Sequence, residues 1–230
     1  MSAESLTSAP TGEAADAALL ATLAEHPPRG CGDAAGRGLH TPAIAGVDEA
    51  GRGPWAGPVV ACAVILPEAV SIPGLRDSKR LTPQKRLEVA LRIRKQCAAW
   101  SIAWSLPEEI DRANILQATL AAMRRAVEGL PLPAAEVLVD GNRLPPLRQA
   151  ARAIVGGDDR VAAIAAASVL AKTFRDGWMQ HYDALHPGYG FAIHKGYGTA
   201  QHAQALARLG PCALHRRSFA PVAAVLASPT

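Results

Sequence analysis

The chain has 230 residues, a net charge of +4 and a composition that is 49% hydrophobic but only 4% aromatic. That length allows one domain or at most two, with a core made largely of Ala, Val, Leu and Ile. No apolar run approaches the ~18 uncharged residues of a bilayer span, no signal-peptide start is visible, and Cys31, Cys62, Cys97 and Cys212 lack zinc-site spacing, as suits reduced thiols in a cytoplasmic protein.

Residues 1–40 are rich in Ala, Gly, Pro, Ser and Thr without a sustained period, so they are expected to form a flexible tail, with at most a short helix around Leu19, Leu20 and Leu23. The folded domain is expected over 41–230. Ile44–Asp48 reads as a strand ending in Asp48-Glu49, and the apolar, β-branched run Val59–Leu66 as a buried strand. Thr82-Pro83 opens a helix to about Cys97, with Thr82 as N-cap and Pro83 at the first helical position. Trp100–Trp104 is a strand, and Asn114 caps a helix through about Glu128 that Gly129 and Pro131 close. Val137–Asp140 and Ala153–Val155 are short strands. Val161 to about His181 is a long helix with a small alanine face, Thr199–Leu209 is another, and a basic segment ends the chain. Mixed strands and helices make the class α/β with one main sheet.

The chemistry concentrates at strand ends. Gly46-Val47-Asp48-Glu49-Ala50-Gly51-Arg52-Gly53-Pro54 sets two carboxylates against a Gly-Arg-Gly turn. Carboxylates suit hard divalent cations, and Mg²⁺ usually takes one or two of them plus substrate phosphate. Gly51 and Gly53 let a backbone approach a ligand, and Arg52 offers a planar fork for phosphate or sugar oxygens. Asp140 and Asp158 also follow apolar runs, the edge where α/β proteins place ligands. Four carboxylates drawn together would repel one another unless cations sat among them, and a two-metal site would stabilise both the attacking and the leaving oxygen of a phosphodiester. Residues 1–40 carry five acids and two arginines, net −3, which leaves +7 on the rest. Eight Lys/Arg between Arg76 and Gln96, and four after Phe191 with no acid, suit a polyanion beside the carboxylates. The alternatives are plainer: Asp140 is a turn residue, Asp158 or Asp159 caps the next helix, Tyr197 is a packed aromatic, and the basic clusters are solvated faces.

Seven stretches in register resemble ribonuclease HII, the prokaryotic type 2 ribonuclease H: GVDEAGRGPWAGPVV (46–60), DSKRLTPQKR (77–86), NILQATLAAMRRAV (114–127), LVDGNR (138–143), GDDRVAAIAAASVLAKTFRD (157–176), YGFAIHKGYGT (189–199) and HRRSF (215–219). The resemblance runs from about Ala43 to Val222. It implies an RNase H-like mixed sheet flanked by helices, with a helical C-terminal portion. It further implies an endonuclease that cuts RNA in RNA·DNA hybrids and 5′ of single ribonucleotides in duplex DNA, leaving 3′-hydroxyl and 5′-phosphate ends. Its metal ligands fall on Asp48, Glu49, Asp140 and Asp158, with Mg²⁺ or Mn²⁺ as cofactor. The 2′-hydroxyl at the RNA–DNA junction, the group that separates ribose from deoxyribose, would be recognised by Gly51, Arg52, Gly53 and Tyr197. Lys79, Ser168, Lys172, Arg175, Arg216 and Arg217 are the expected phosphate or substrate contacts. The four tryptophans are expected to pack in or near the core. A monomer is expected, with no membrane partner; a sliding clamp is a possible partner that no motif spells out. Many relatives have Lys where this chain has Gly156. Ribonuclease HIII, with Gly-Lys-Gly at the turn, is the nearest rival, and Arg52 argues against it. A phosphotransferase would need a Gly-x-x-x-x-Gly-Lys-Ser/Thr loop, which is missing. A non-catalytic nucleic-acid binder would gain nothing from the four acids.

Overall fold

The computed structural model describes residues 29–31, 43–68, 70–75 and 81–228. Lys79 and the Leu19–Leu23 segment lie outside the described residues. Six strands form one sheet: β1 (Arg29–Gly30), β2 (Ile44–Ala50), β3 (Val59–Ile65), β4 (Ala99–Ser105), β5 (Glu136–Asp140) and β6 (Ala150–Ile154), in the order β1-β4-β3-β2-β5-β6. β1 to β4 pair antiparallel, whereas β5 runs parallel to β2 and β6 parallel to β5. The helices are α1 (Pro83–Gln96), α2 (Pro107–Ala113), α3 (Ile115–Glu128), α4 (Ala162–Leu185), α5 (Phe191–His194), α6 (Ala200–Leu209) and α7 (Ala220–Ala227), with a 3₁₀ turn at Gly157–Asp159.

β3 is buried along its whole length because helices cover both faces. Val60, Cys62 and Val64 join Val89, Ile93, Ala166 and Leu170 of α1 and α4 on one side. Ala61, Ala63 and Ile65 join Ala122, Met123 and Ala126 of α3 on the other. An alanine-rich sequence fills this space by close approach, since burying a Val or Ile contributes about 1.5–3 kcal/mol each and alanine less. Gly46 carries that approach furthest: a Cβ there would lie 2.2 Å from the Ala163 carbonyl carbon and 2.3 Å from Ile164 N. α4 therefore rests directly on the β2 backbone, on the face that Asp48, two residues on, shares.

Both predicted caps form. Thr82 accepts from Lys85 N at 3.4 Å and Asn114 from Gln117 N at 3.1 Å. Trp100, Trp104 and Trp178 are buried, and the half-buried Trp55 packs on His202 with ring centroids 5.3 Å apart. Two expectations need correction. Arg29–Gly30, inside the expected tail, pair with Trp100 and Ser101 at the sheet edge, where Gly30 lies against the Trp100 indole. β6 begins at Ala150 because pairing with β5 fixes its register, whatever its own apolar content. α2, α5 and α7 are short, and α5 to α7 make up the helical C-terminal portion. No helix of the described residues is long and apolar enough to cross a membrane.

Candidate active site

Asp48, Asp140 and the Gly157–Asp159 turn lie at the C-terminal ends of the parallel strands β2, β5 and β6. Val47 pairs with Val139 and Asp140 with Ile154, so the first two carboxylates lie at neighbouring strand ends. Asp48 is only 5% exposed. Burial pushes its carboxyl well above the ordinary range and the neighbouring Glu49 and Asp140 charges push the same way, while the nearby Ser168 hydroxyl and the Glu49 N–H, which donates to Asp48 Oδ1 at 2.7 Å, partly offset them. Ser168 lies near it because α4 rests on Gly46. Burial likewise raises Glu49, with Arg52 opposing and Asp140 reinforcing. The Asp140 carboxylate accepts from Gly157 N–H at 2.7 Å, which ties the end of β5 to the turn carrying Asp158. Gly156 borders open space.

This is a cluster of negative charge held out of water, and a cation is the natural relief for it. Among the described residues, no three His, Cys, Asp or Glu side chains are gathered tightly enough to hold an ion by themselves. Carboxylates at β2 and β5 still fit Mg²⁺ or Mn²⁺, ions that take part of their coordination from substrate phosphate and water. Asp158 lines a separate concavity with Asp159 and Arg160.

The main concavity, about 420 Å³, gathers Glu49, Gly51, Arg52, Gly53, Ser168, Lys172 and Tyr197 from the expected set, together with Arg86. Arg52 is half exposed and bonds Glu49 at 3.3 Å. Tyr197 is 42% exposed, with Lys172 Nζ 5.7 Å and the Arg175 guanidinium 5.9 Å from its ring. Asp176 joins Lys172 Nζ (2.7 Å) to Arg86 Nη1 (3.0 Å), so the basic wall is held by a shared acid. Arg86 was not singled out in the sequence; its signals were membership of the 76–96 basic cluster and its place at the end of the 77–86 stretch.

Arg175 and Arg216, expected as phosphate contacts, point inward instead. Both are fully buried. Arg175 donates to Pro58 O (2.9 Å), Lys195 O (3.0 Å) and Ala56 O (3.1 Å). Arg216 donates to Gly57 O (3.0 Å), Arg52 O (2.9 Å) and Gly51 O (2.5 Å). The physical reason is the turn itself, whose carbonyls have no strand partner and need donors. Two planar forks supply five to the turn and a sixth to Lys195 O, and burial lowers Arg175 to about 10 and Arg216 to about 9, with Arg175's like charge adding to the latter. Gly51 makes room for this, since at φ +95 a Cβ would fall 2.0 Å from Arg175 Nε. Arg217 is exposed, its backbone N–H bonded to Asp111 at 2.9 Å, and it does not line the concavity.

Residues 45–222 match the family model described as Ribonuclease HII. The chain belongs to the ribonuclease HII family. Curated ribonucleases HII from Polaromonas sp. strain JS666 and Albidiferax ferrireducens are 59% and 57% identical to it, over 80% and 82% of this chain and 92% and 97% of their own lengths. Among solved structures, ribonuclease H2 of Pyrococcus horikoshii OT3 matches with a TM-score of 0.67 at 23% identity, covering 80% of this chain and 96% of that one. A Bst-RNase HIII solved with Mn²⁺ matches at 0.67 and 18%, covering 82% and 70%. The ribonuclease HII from Archaeoglobus fulgidus, solved in complex with PCNA, matches at 0.61 and 24%, covering 76% and 92%. The structural matches establish the RNase H-like fold. Endoribonuclease activity of the ribonuclease H type, and the divalent-metal dependence expected of it, come with the family.

Proposed function

We propose that residues 41–230 act as one catalytic domain that hydrolyses RNA in RNA·DNA hybrids and cuts 5′ of a single ribonucleotide in duplex DNA. The supporting observation is the shared concavity, where Glu49 of the carboxylate pair meets the Gly51-Arg52-Gly53 turn and Tyr197. Mg²⁺ or Mn²⁺ ions, held by Asp48, Glu49, Asp140 and Asp158, would activate a water and stabilise the leaving 3′-oxygen, giving 3′-hydroxyl and 5′-phosphate ends. The protein's own contribution is placement. Glu49 N–H orients Asp48, with Ser168 beside it, and Gly157 N–H orients Asp140. Arg216, by fixing the carbonyls of Gly51 and Arg52, presents the turn to the sugar. Tyr197 presents its ring beside the turn, 3.8 Å from where a β-carbon on Gly53 would lie, and the 2′-hydroxyl is the feature such a pair would test. Lys172 and Arg86 offer positive charge to the phosphates. Free thiols at Cys31, Cys62, Cys97 and Cys212 suit work in the reducing cytoplasm. The enzyme is proposed to act as a monomer, and a clamp of the PCNA kind is the protein partner to test first.

The test is cleavage of three duplexes, one all DNA, one with a single ribonucleotide and one a long hybrid, with and without divalent metal. Metal-dependent cutting of the second and third, 5′ of the ribonucleotide, is expected. Cutting of the all-DNA duplex, or of the long hybrid alone, would refute the junction-reading assignment.

A further inference from the structure

Three histidines, His194, His202 and His215, lie buried behind the Tyr197 loop, and the chemistry above uses none of them. Their partners fix where each proton sits. Carbonyl oxygens only accept, so His202 Nδ1, 3.0 Å from Tyr197 O, carries a hydrogen, as does His194 Nε2, 2.8 Å from Tyr189 O. Gly196 N–H donates to His194 Nδ1 at 3.1 Å, and Cys212 N–H donates to His215 Nδ1 at 3.1 Å. His215 must therefore carry its hydrogen on Nε2, which faces His202 Nε2 at 3.1 Å. That nitrogen is an acceptor because His202's hydrogen is on Nδ1. With one proton per ring every bond is satisfied, and they form one directed chain: Cys212 N–H to His215, His215 to His202, His202 to the Tyr197 carbonyl. His194 stacks on His202 with centroids 4.4 Å apart and an interplanar angle of 12°. It also accepts the N–H of Gly196, and its own carbonyl accepts that of Tyr197 at 2.9 Å.

We infer that His202, with its tautomer locked by His215, is a positioning residue for Tyr197: a neutral imidazole relay grips the tyrosine's backbone from beneath and sets how its exposed ring meets the substrate sugar. The inference rests on the reading of Tyr197 as the ribose sensor. Chains of hydrogen bonds polarise one another, so a relay pointing one way holds its last acceptor more firmly than a lone donor would.

The experiment compares kcat/KM on the single-ribonucleotide duplex for the full chain and for His202→Asn, His202→Gln, Tyr197→Ala and the double variant Tyr197→Ala/His202→Gln. Asn places an amide N–H near the Nδ1 position and Gln near Nε2, so the two are matched in polarity and differ in which end they serve. His202→Asn should stay within about threefold of the parent, and His202→Gln should fall about tenfold, the scale of one buried hydrogen bond. In the Tyr197→Ala background the same Gln substitution should cost less than about threefold, since residues acting through one another are not additive. Equal rates for Asn and Gln, or a full tenfold further loss in the Tyr197→Ala background, would overturn the inference while leaving Tyr197 as the sensor. An undiminished Tyr197→Ala enzyme would instead bring down the sensor reading, and the inference with it.

Discussion

Gly51→Ala tests the scaffold beneath the turn most sharply, with Gly53→Ala as its control. At Gly51 the backbone is left-handed (φ +95), and an added β-carbon would lie 2.0 Å from Arg175 Nε, 2.4 Å from its Cδ and 2.8 Å from Pro58 O. Alanine in that conformation costs about 1–2 kcal/mol. The clash is larger, because Arg175 cannot shift without releasing its bonds to Pro58, Lys195 and Ala56. Hydrogen bonds to a charged donor are worth about 1.5–3 kcal/mol each, so losing two brings the total to roughly 4–8 kcal/mol. That is comparable with the whole stability of an ordinary domain, about 5–15 kcal/mol. At Gly53 the nearest atom to an added β-carbon is Tyr197 Cε1 at 3.8 Å, an ordinary contact. Thermal unfolding followed by circular dichroism should show Gly51→Ala melting at least about 8 °C lower, or not folding, and Gly53→Ala within about 2 °C of the parent, at roughly 2–4 °C per kcal/mol for a chain this size. Cleavage should be lost with Gly51→Ala. A Gly51→Ala protein that melts with the parent would refute the placement of Arg175 under the turn.

Asp140→Asn keeps the acceptor for Gly157 N–H and removes the charge, so binding and melting should persist while cleavage falls below about a tenth of the parent rate in a gel assay. Asp158→Asn should be severe and Asp159→Asn mild; the reverse order would move the last metal ligand to Asp159. Lys172→Ala should weaken binding across sequences and flatten the slope of log K against log salt by about one unit if it meets one phosphate. Acid stability should also respond. Burial, with the neighbouring His202 charge next, lowers His215 to about 4. The unfolded chain therefore binds the proton first, near pH 6.5, and stability present above that pH is lost as pH falls toward about 4, by as much as about 3 kcal/mol. Asp48 and Glu49 are shifted upward and act in the opposite sense, so the effect is read as the difference in guanidinium midpoints between the parent and His215→Gln from pH 7 to 4.5. A parent and variant that lose stability in parallel would refute it.

The parts of this fold that were legible in sequence are those whose local pattern and tertiary role agree. β3 is a β-branched run because both its faces are covered, and α1 and α3 announce themselves through Thr82 and Asn114. The carboxylates were legible for a related reason: Asp48-Glu49 and Asp140 interrupt apolar strands at their ends, where only function or a turn explains an acid. β6 was misplaced because its five residues, Ala-Ala-Arg-Ala-Ile, are all part-exposed or exposed, and their strand state comes from β5. Arg29–Gly30 could not have been found at all, since two residues carry no periodicity and the strand exists only as an edge partner for Trp100 and Ser101.

The arginines fail for a deeper reason. Lys172 and Arg175 are three residues apart on one helix, each a cation within the Lys172–Asp176 stretch that follows the alanines. The first faces the concavity and the second lies beneath the turn. Nothing within α4 distinguishes them. What decides is the set of carbonyls at Ala56 and Pro58, more than a hundred residues earlier in the chain, left unpaired because Gly51 to Pro58 must leave the sheet to form the turn. A buried carbonyl without a donor costs about 1–3 kcal/mol, so a turn this rich in them imposes a demand that solvent cannot meet. The guanidinium answers it because its planar fork serves three acceptors at once while remaining charged, whereas a lysine would serve them only as a flexible point charge. Arg175→Lys should therefore behave as a loss of turn geometry rather than as a conservative exchange. Its melting temperature and its cleavage of the single-ribonucleotide duplex should fall together, with the salt slope unchanged. A flattened salt slope with normal melting would return Arg175 to the phosphate contacts.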